Sequence, residues 1–118
     1  MSTPSRIYKI IDQATWAEAS AATDWLGSEL DRRDGYIHFS AAAQVGATLA
    51  LHYAGRDDLL VLEFDTSPWG DQLVWEPSRG GALFPHLYAP LAVSQASRMW
   101  PVRVAPDGAC ALPDDFPS

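Results

Sequence analysis

Cysteine, lysine and long apolar runs are all scarce in this chain of 118 residues. Cys110 is the single cysteine, so the chain cannot form an internal disulfide, and a reducing compartment suits it. The first six residues hold no apolar stretch of the signal-peptide kind. We therefore expect a cytoplasmic protein without a membrane partner.

Positive charge is also in short supply. Eight lysines and arginines stand against fifteen aspartates and glutamates, which gives a formal net charge of −7 and an isoelectric point near 4.6. Nucleic-acid affinity depends mainly on cationic side chains that contact phosphates. Lys9 is the only lysine, so the composition argues against a nucleic-acid partner, and whether a protein partner exists is left open.

The chain does contain enough apolar material for one folded domain. Apolar residues make up 47% of it and charged residues 19%, which is typical of a globular protein. We assign residues 1–105 to a single domain. Residues 106–118 are rich in proline, aspartate and glycine, and we expect them to form a frayed C-terminal tail.

The hydrophobic pattern predicts an α+β domain, because strands of uneven spacing accompany two main helices. The predicted helices are residues 14–19 and an alanine-rich stretch that reaches about Ala54, with Asp12 and Ser40 as their N-caps. The apolar run at 59–64 predicts a core strand covered on both faces. Further strands are predicted at 6–11, 36–39, 73–76, 84–88 and 96–104. The sheet they form is expected to be small, and mixed or split.

Two segments interrupt this pattern. Residues 23–34 lose their periodicity at Gly27 and Ser28, and we expect an ordered loop there. Pro85 lacks a backbone N–H, which predicts that the strand at 84–88 lies at a sheet edge.

Polar side chains are concentrated on one face of each of two predicted strands. Alternation along a strand places Tyr36, His38 and Ser40 on one face. The same parity places His86 and Tyr88 together, so the two faces form one site if the strands are neighbours. Each residue also has a simpler interpretation, namely a half-exposed strand histidine, a helix N-cap, or tyrosines that cover a sheet.

Glu76 is the candidate carboxylate of this site. It follows Trp75 at the end of a predicted strand and precedes a glycine loop that contains Arg79. An indole offers a stacking wall and a carboxylate accepts hydrogen bonds, although an exposed strand-end glutamate is an equal alternative. No metal ligand is assigned, because the histidine spacing fits no metal motif. The candidate catalytic residues are His38, Glu76 and His86, and the candidate ligand-binding residues are Tyr36, Ser40, Trp75, Arg79 and Tyr88.

Two segments carry a family resemblance: Ile37-His38-Phe39-Ser40 and Phe84-Pro85-His86-Leu87-Tyr88. On these segments the chain resembles the bacterial domain-of-unknown-function family 952, up to about residue 104. Residues 36–65 more distantly resemble the RNA 2′-phosphotransferase branch of the ADP-ribosyltransferase fold, in which a His-x-Ser strand end precedes a helix and an apolar strand. The second resemblance implies an ADP-ribosyltransferase-like split sheet around an NAD cleft, with the histidines, the tyrosines and Glu76 as cleft residues.

Two functions from different classes are therefore predicted. The first is a polar His/Tyr/Glu cleft that binds a nucleotide-like ligand of the NAD or ADP-ribose type and transfers or cleaves at a glycosidic carbon. The second is a non-catalytic ligand-binding or protein-interaction module. The sequence requires no cofactor, and NAD is the candidate that the resemblance suggests. Whether the domain is an enzyme is left open.

Overall fold

The computed structural model describes residues 4–117, apart from the side chain of Arg79. Three helices and eight strands are formed within this range. The helices are α1 (Gln13–Ala19), α2 (Glu29–Asp34) and α3 (Ala42–His52). The strands are β1 (Arg6–Asp12), β2 (Asp24–Trp25), β3 (Ile37–His38), β4 (Leu59–Asp65), β5 (Leu73–Pro77), β6 (Leu83–Leu87), β7 (Leu91–Ala92) and β8 (Ala96–Val102).

The first sheet contains the longest strands, in the order β1-β4-β8, and both of its pairings are antiparallel. Leu59 to Phe64 in the central strand β4 are all buried. One face of the sheet packs against α3 through Val45 and Leu49, and the other face packs against the second sheet. The prediction of a strand covered on both faces is confirmed, because an uninterrupted apolar run needs cover on both sides.

The second sheet has the order β3-β6-β5 and is also antiparallel. Strand β6 is its centre, so the prediction of an edge strand at 84–88 is wrong. The N–H of Phe39 donates to the carbonyl of Pro85 at 3.0 Å, and residues paired in this way exchange both bonds. Pro85 has no N–H with which to return this bond to the carbonyl of Phe39. The sheet therefore loses one hydrogen bond, just beyond the end of the short strand β3.

The two sheets meet at one backbone bridge. Tyr8 and Ser40 exchange N–H to carbonyl hydrogen bonds of 2.8 Å in both directions. Because Ser40 lies two residues after the end of β3, this bridge holds the second sheet beside strand β1. Strands β2 and β7 form a short antiparallel ribbon, and its residues Trp25 and Leu91 belong to the buried core.

The helices agree with the pattern in part. Asp12 caps α1 by accepting from the Thr15 N–H, as predicted. Helix α3 begins one residue later than expected, with Ala41 at the N-cap and its N–H bonded to the side chain of Gln44, so Ser40 is not the cap. The predicted loop at 23–34 contains α2, which Ser28 caps. In so short a helix the capping side chains, rather than an apolar period, stabilise the turn.

The segment after β8 differs from the expectation of a frayed tail. Phe116 is buried and packs on Tyr8 and Trp100, with ring centroids 5.0 and 4.9 Å away. The Trp100 Nε1–H donates to Asp115, which anchors the segment to the sheet.

The fold is thus α+β with small antiparallel sheets rather than a mixed sheet. Among the described residues, no helix is long and apolar enough to span a bilayer.

Candidate functional site

Two histidines face each other across neighbouring strands of the second sheet. His38 on β3 and His86 on β6 occupy paired register positions, and their ring centroids lie 5.5 Å apart. Both rings line a cavity of about 530 Å³, which we call the histidine cleft. The pattern of the sequence predicts that these two strand faces could meet, and the register brings them together.

Strand alternation explains why both rings point away from the core. Ile37 and Leu87, one position away on each strand, pair with each other and belong to the buried apolar core. Since successive side chains point to opposite faces, burial of this pair turns both histidines toward the cleft. The hydrophobic pattern of two short strands thus orients the polar residues.

The cleft lies between the second sheet, strand β1 and helix α3. Ser40 and Thr48 supply hydroxyl groups, and their oxygens lie 3.4 Å apart. His52 at the end of α3 also lines the cleft. The remaining lining residues are mostly apolar or aromatic, namely Tyr8, Lys9, Ile10, Leu30, Phe39, Tyr53, Ser78 and Phe84.

His86 is held by a hydrogen bond to Glu76 and by stacking on Tyr36. The side chain of His86 is 5% exposed, and its Nδ1 lies 2.8 Å from Glu76 Oε1. The Tyr36 ring stacks on the imidazole with centroids 4.1 Å apart and planes inclined by 26°. Because an ionised carboxylate can only accept, Nδ1 is the donor, and Nε2 is left as an acceptor in the neutral ring.

Tyr88 completes this cluster from outside the cleft. Its hydroxyl donates to the same Glu76 oxygen at 2.7 Å, while Tyr88 itself is 45% exposed. The hydrogen bonds from Tyr88 and His86 lower the pKa of Glu76. The same contact, together with burial and the charge of Glu76, raises the pKa of Tyr88 to about 12. Glu76 is therefore an ionised acceptor at neutral pH.

His38 is held by carboxylates of α2. Its Nδ1 donates to Asp31 Oδ1 at 2.6 Å, and its Nε2 lies 3.0 Å from Asp34 Oδ2. Asp31 is buried and also receives Lys9 Nζ at 3.0 Å. Burial alone would raise the pKa of Asp31, but the hydrogen bond from His38 and the charge of Lys9 outweigh it and hold that pKa well below its usual range.

The sequence pattern missed Lys9, Asp31 and Asp34. A signal was present, because the only lysine lies in an otherwise apolar strand, and a lysine is rarely buried without a partner. The charged stretch that contains Asp31 was the natural place for that partner. Nothing in the sequence showed that the stretch folds as a helix beside β3.

One of the candidate ligand-binding residues, Trp75, does not join the cluster. Trp75 pairs with Pro85 and packs against the apolar core, on the opposite sheet face from Glu76. Its neighbour Val74 pairs with His86, so parity places Trp75 on the core side. The side chain of Arg79 lies outside the described part of the chain. Within the described residues, no group of His, Cys, Asp and Glu is arranged to hold a metal ion.

Similar proteins are known from sequence and structure. The profile of a family described as "Protein of unknown function (DUF952)" matches residues 10–99. The crystal structure of protein CC0527 from Caulobacter crescentus has 42% sequence identity and a TM-score of 0.83, covering 90% of this chain and 93% of that chain. Its solution NMR structure has 43% identity and a TM-score of 0.78, covering 89% and 90%. No curated protein matches the chain.

Proposed function

The chain belongs to the DUF952 family, and we propose that its histidine cleft binds a nucleotide-like small molecule of the NAD or ADP-ribose type. The observation that carries the proposal is the pair of carboxylate-held histidines, His38 and His86, at paired positions on the wall of one cavity. Two oriented imidazoles beside flat aromatic surfaces suit a ligand that combines hydroxyl groups with a planar ring.

The size and lining of the cleft support a ligand of this class. A volume of about 530 Å³ lies within the range of roughly 300–1,000 Å³ that is usual for small-molecule sites. Ser40, Thr48 and Nε2 of His86 offer hydrogen bonds for a ribose, while His38 is held by Asp31 and Asp34 at the wall of the cleft. Phe84 and Ile10 offer apolar surface for a base or a nicotinamide ring. Most of the lining is apolar and its polar groups converge, as is common in ligand sites.

The arrangement of the sheets supports the ADP-ribosyltransferase-like part of the proposal. Two antiparallel sheets are joined by the Tyr8–Ser40 bridge, and residues from both sheets and from α3 line the cleft. A split sheet around a cleft is what the resemblance of residues 36–65 implies. Fold analogy alone does not establish an activity, so the proposal depends on the histidine geometry.

Charge determines how such a ligand would lie. Lys9 is already paired with Asp31 inside the protein, so it is not available to a diphosphate. We therefore place the ring and ribose in the cleft and the phosphate groups at its open mouth, where water solvates them. The net charge of −7 makes the binding of long polyphosphates or RNA unfavourable.

The reaction class that this site would support is transfer at a glycosidic carbon. The bond from the ribose C1′ to the ring nitrogen breaks and its electron pair leaves with the neutral ring. An acceptor oxygen then bonds to C1′, and its proton passes to Nε2 of His86. Glu76 lies behind His86 and would support the imidazolium that forms, rather than contact the ribose itself.

Calorimetric titration with NAD and ADP-ribose tests the proposal. The wild-type chain is expected to bind at least one of them, and a saturating ligand should raise the unfolding temperature. His38→Ala should weaken binding and abolish any release of nicotinamide from NAD. Met99→Ala, which alters an exposed side chain on β8, is the matched control and should bind normally.

The outcomes separate the two functional classes. Binding that His38→Ala weakens, together with nicotinamide release by the wild-type chain, supports a transferase or hydrolase. Binding without turnover supports the non-catalytic ligand-binding alternative. If neither nucleotide binds, or if His38→Ala binds both as well as the wild-type chain does, the proposal is wrong.

A further inference from the structure

A buried ion pair lies directly behind the ring of His38. Asp31 is 1% exposed and Lys9 is 6% exposed. Lys9 Nζ lies 3.0 and 3.3 Å from the two Asp31 oxygens, and it also donates to the carbonyl of His38 at 2.8 Å. The same carboxylate accepts from the backbone N–H of His38 at 3.1 Å and from its Nδ1 at 2.6 Å. The ion pair therefore makes hydrogen bonds to both the backbone and the ring of His38.

A buried ion pair of this kind adds little to the free energy of folding on its own. Removing two charges from water costs free energy that their attraction often fails to recover, and an apolar pair of similar volume commonly does as well or better. Burial lowers the pKa of Lys9, which reflects this cost, although the charge of Asp31 opposes the shift. The contacts to His38 offer a different explanation for the pair.

Asp31 is the buried contact between helix α2 and the rest of the domain, and Asp34 adds a partly exposed contact to Nε2 of His38. Asp31 is the one buried residue of the helix, while its leucine, Leu30, is 48% exposed at the cleft wall. Gly27 has a φ of 102°, and a Cβ built on it would lie 2.5 Å from the Cβ of Asp31. The turn before α2 therefore packs closely around Asp31, which leaves the carboxylate little freedom to move.

We propose that Asp31, held in place by Lys9, is a positioning residue that orients the His38 ring and keeps a proton on its Nδ1. An ionised carboxylate can only accept, so the ring nitrogen beside Asp31 must donate. Asp34 Oδ2 lies 3.0 Å from Nε2 on the other side of the ring, so the role of Asp31 is confined to Nδ1. Glu76 places a proton on Nδ1 of His86 in the same way. The effect on ligand binding rests on the proposed function, whereas the effect on the ring does not.

Long-range proton–nitrogen correlation spectra of the ¹⁵N-labelled full chain test this directly. In the wild-type chain, Nδ1 of His38 is expected to carry a proton. Asp31→Asn replaces an acceptor with a group that can also donate, so the ring should move toward the form protonated on Nε2 alone. The matched control is Ser28→Ala, which removes the 3.2 Å cap hydrogen bond to the Asp31 N–H and leaves the carboxylate on His38.

Titration with NAD supplies the second readout. Asp31→Asn should weaken NAD binding by about tenfold, the loss expected for one well-placed hydrogen bond. Ser28→Ala should bind NAD as the wild-type chain does. If neither NAD nor ADP-ribose binds the wild-type chain, the proposed function fails, and the ring spectra still decide the role of Asp31.

Two results would overturn the positioning role. One is a wild-type spectrum in which Nδ1 of His38 carries no proton, a measurement that needs no variant and so stands even if Asp31→Asn does not fold. The other is a folded Asp31→Asn chain in which Nδ1 of His38 keeps its proton as in the wild-type chain. A protonated Nδ1 in the wild-type chain and a changed ring in the variant both support the role.

Discussion

The two carboxylate–histidine pairs of the cleft are built in opposite ways. In the first pair the carboxylate of Asp31 is buried, at 1% exposure, and the ring of His38 is 30% exposed. In the second pair the ring of His86 is 5% exposed, whereas the carboxylate of Glu76 is 36% exposed. Asp31 has Lys9 as a counter-ion, while Glu76 has the hydroxyl of Tyr88 and the surrounding water.

The two pairs are therefore stabilised in different ways, the first by a buried counter-ion and the second by solvent. A buried carboxylate needs a compensating charge, so the His38 pair is tied to the fold through Lys9 and strand β1. An exposed carboxylate is solvated, so the His86 pair can lose its acceptor with little effect on folding. We therefore expect substitutions at the first pair to affect stability and those at the second to affect the site.

The largest expected effect comes from removing the counter-ion of the first pair. Lys9→Met leaves Asp31 buried beside His38 without its cation, and we expect the free energy of unfolding to fall by about 3–5 kcal/mol. Chemical denaturation measures this loss. The double variant Lys9→Met, Asp31→Asn should recover much of it, because no uncompensated charge remains. A single variant as stable as the wild-type chain would contradict the contrast between the two pairs.

Acid should destabilise the protein through the first pair more than through the second. The pKa of Asp31 is depressed in the folded state, so its contribution is fully present above the ordinary aspartate pKa and is lost as pH falls through the folded value. The free energy of unfolding, measured from about pH 5 downward, should therefore fall less steeply in Asp31→Asn than in wild type. Glu76→Gln should keep a slope close to that of the wild-type chain.

The second pair should show its effect in ligand binding. Glu76→Gln removes the charge of the acceptor that orients His86 and adds a donor beside it, so NAD should bind about tenfold more weakly by calorimetry. The unfolding temperature should change by less than about 3 °C, because the carboxylate is largely solvated. Normal binding in a chain that unfolds much earlier would show that Glu76 is a structural residue.

The smallest expected effect is local to the tyrosines. Tyr88 has a pKa of about 12 because of its hydrogen bond to Glu76, so Glu76→Gln should lower this pKa toward the ordinary value. Tyr8 is an internal control, since burial and its hydrogen bond to Glu63 raise its pKa to about 12 as well. Ring-carbon NMR shifts followed against pH distinguish the two. A Tyr88 pKa that stays near 12 in the variant would mean that its cause lies elsewhere.

Several parts of the fold could be predicted from local pattern. The uninterrupted run in β4 indicated a strand covered on both faces, and Asp12 before α1 indicated a helix start. The parity of His38 and His86 was also readable, because alternation is a property of any strand. These inferences succeeded because each depends on residues that are close together in the sequence.

Other parts depended on contacts between distant segments. Pro85 suggested an edge strand, yet β6 is central because the missing N–H faces the end of a two-residue neighbour. Trp75 was assigned to the site beside Glu76, but the pairing register turns it toward the core. Register is set by which apolar faces must be buried together, and a single strand does not contain that information.

From the amino-acid sequence alone one can infer which side chains share a strand face and that the one lysine lies in an apolar strand. The contact between Lys9 and Asp31, which are 22 positions apart in the chain, is visible only in the tertiary structure. So is the position of that contact behind His38. The physical reason is that burial, rather than sequence spacing, selects the partner of a charge. A lysine enclosed by a protein core needs whichever carboxylate the fold brings to it.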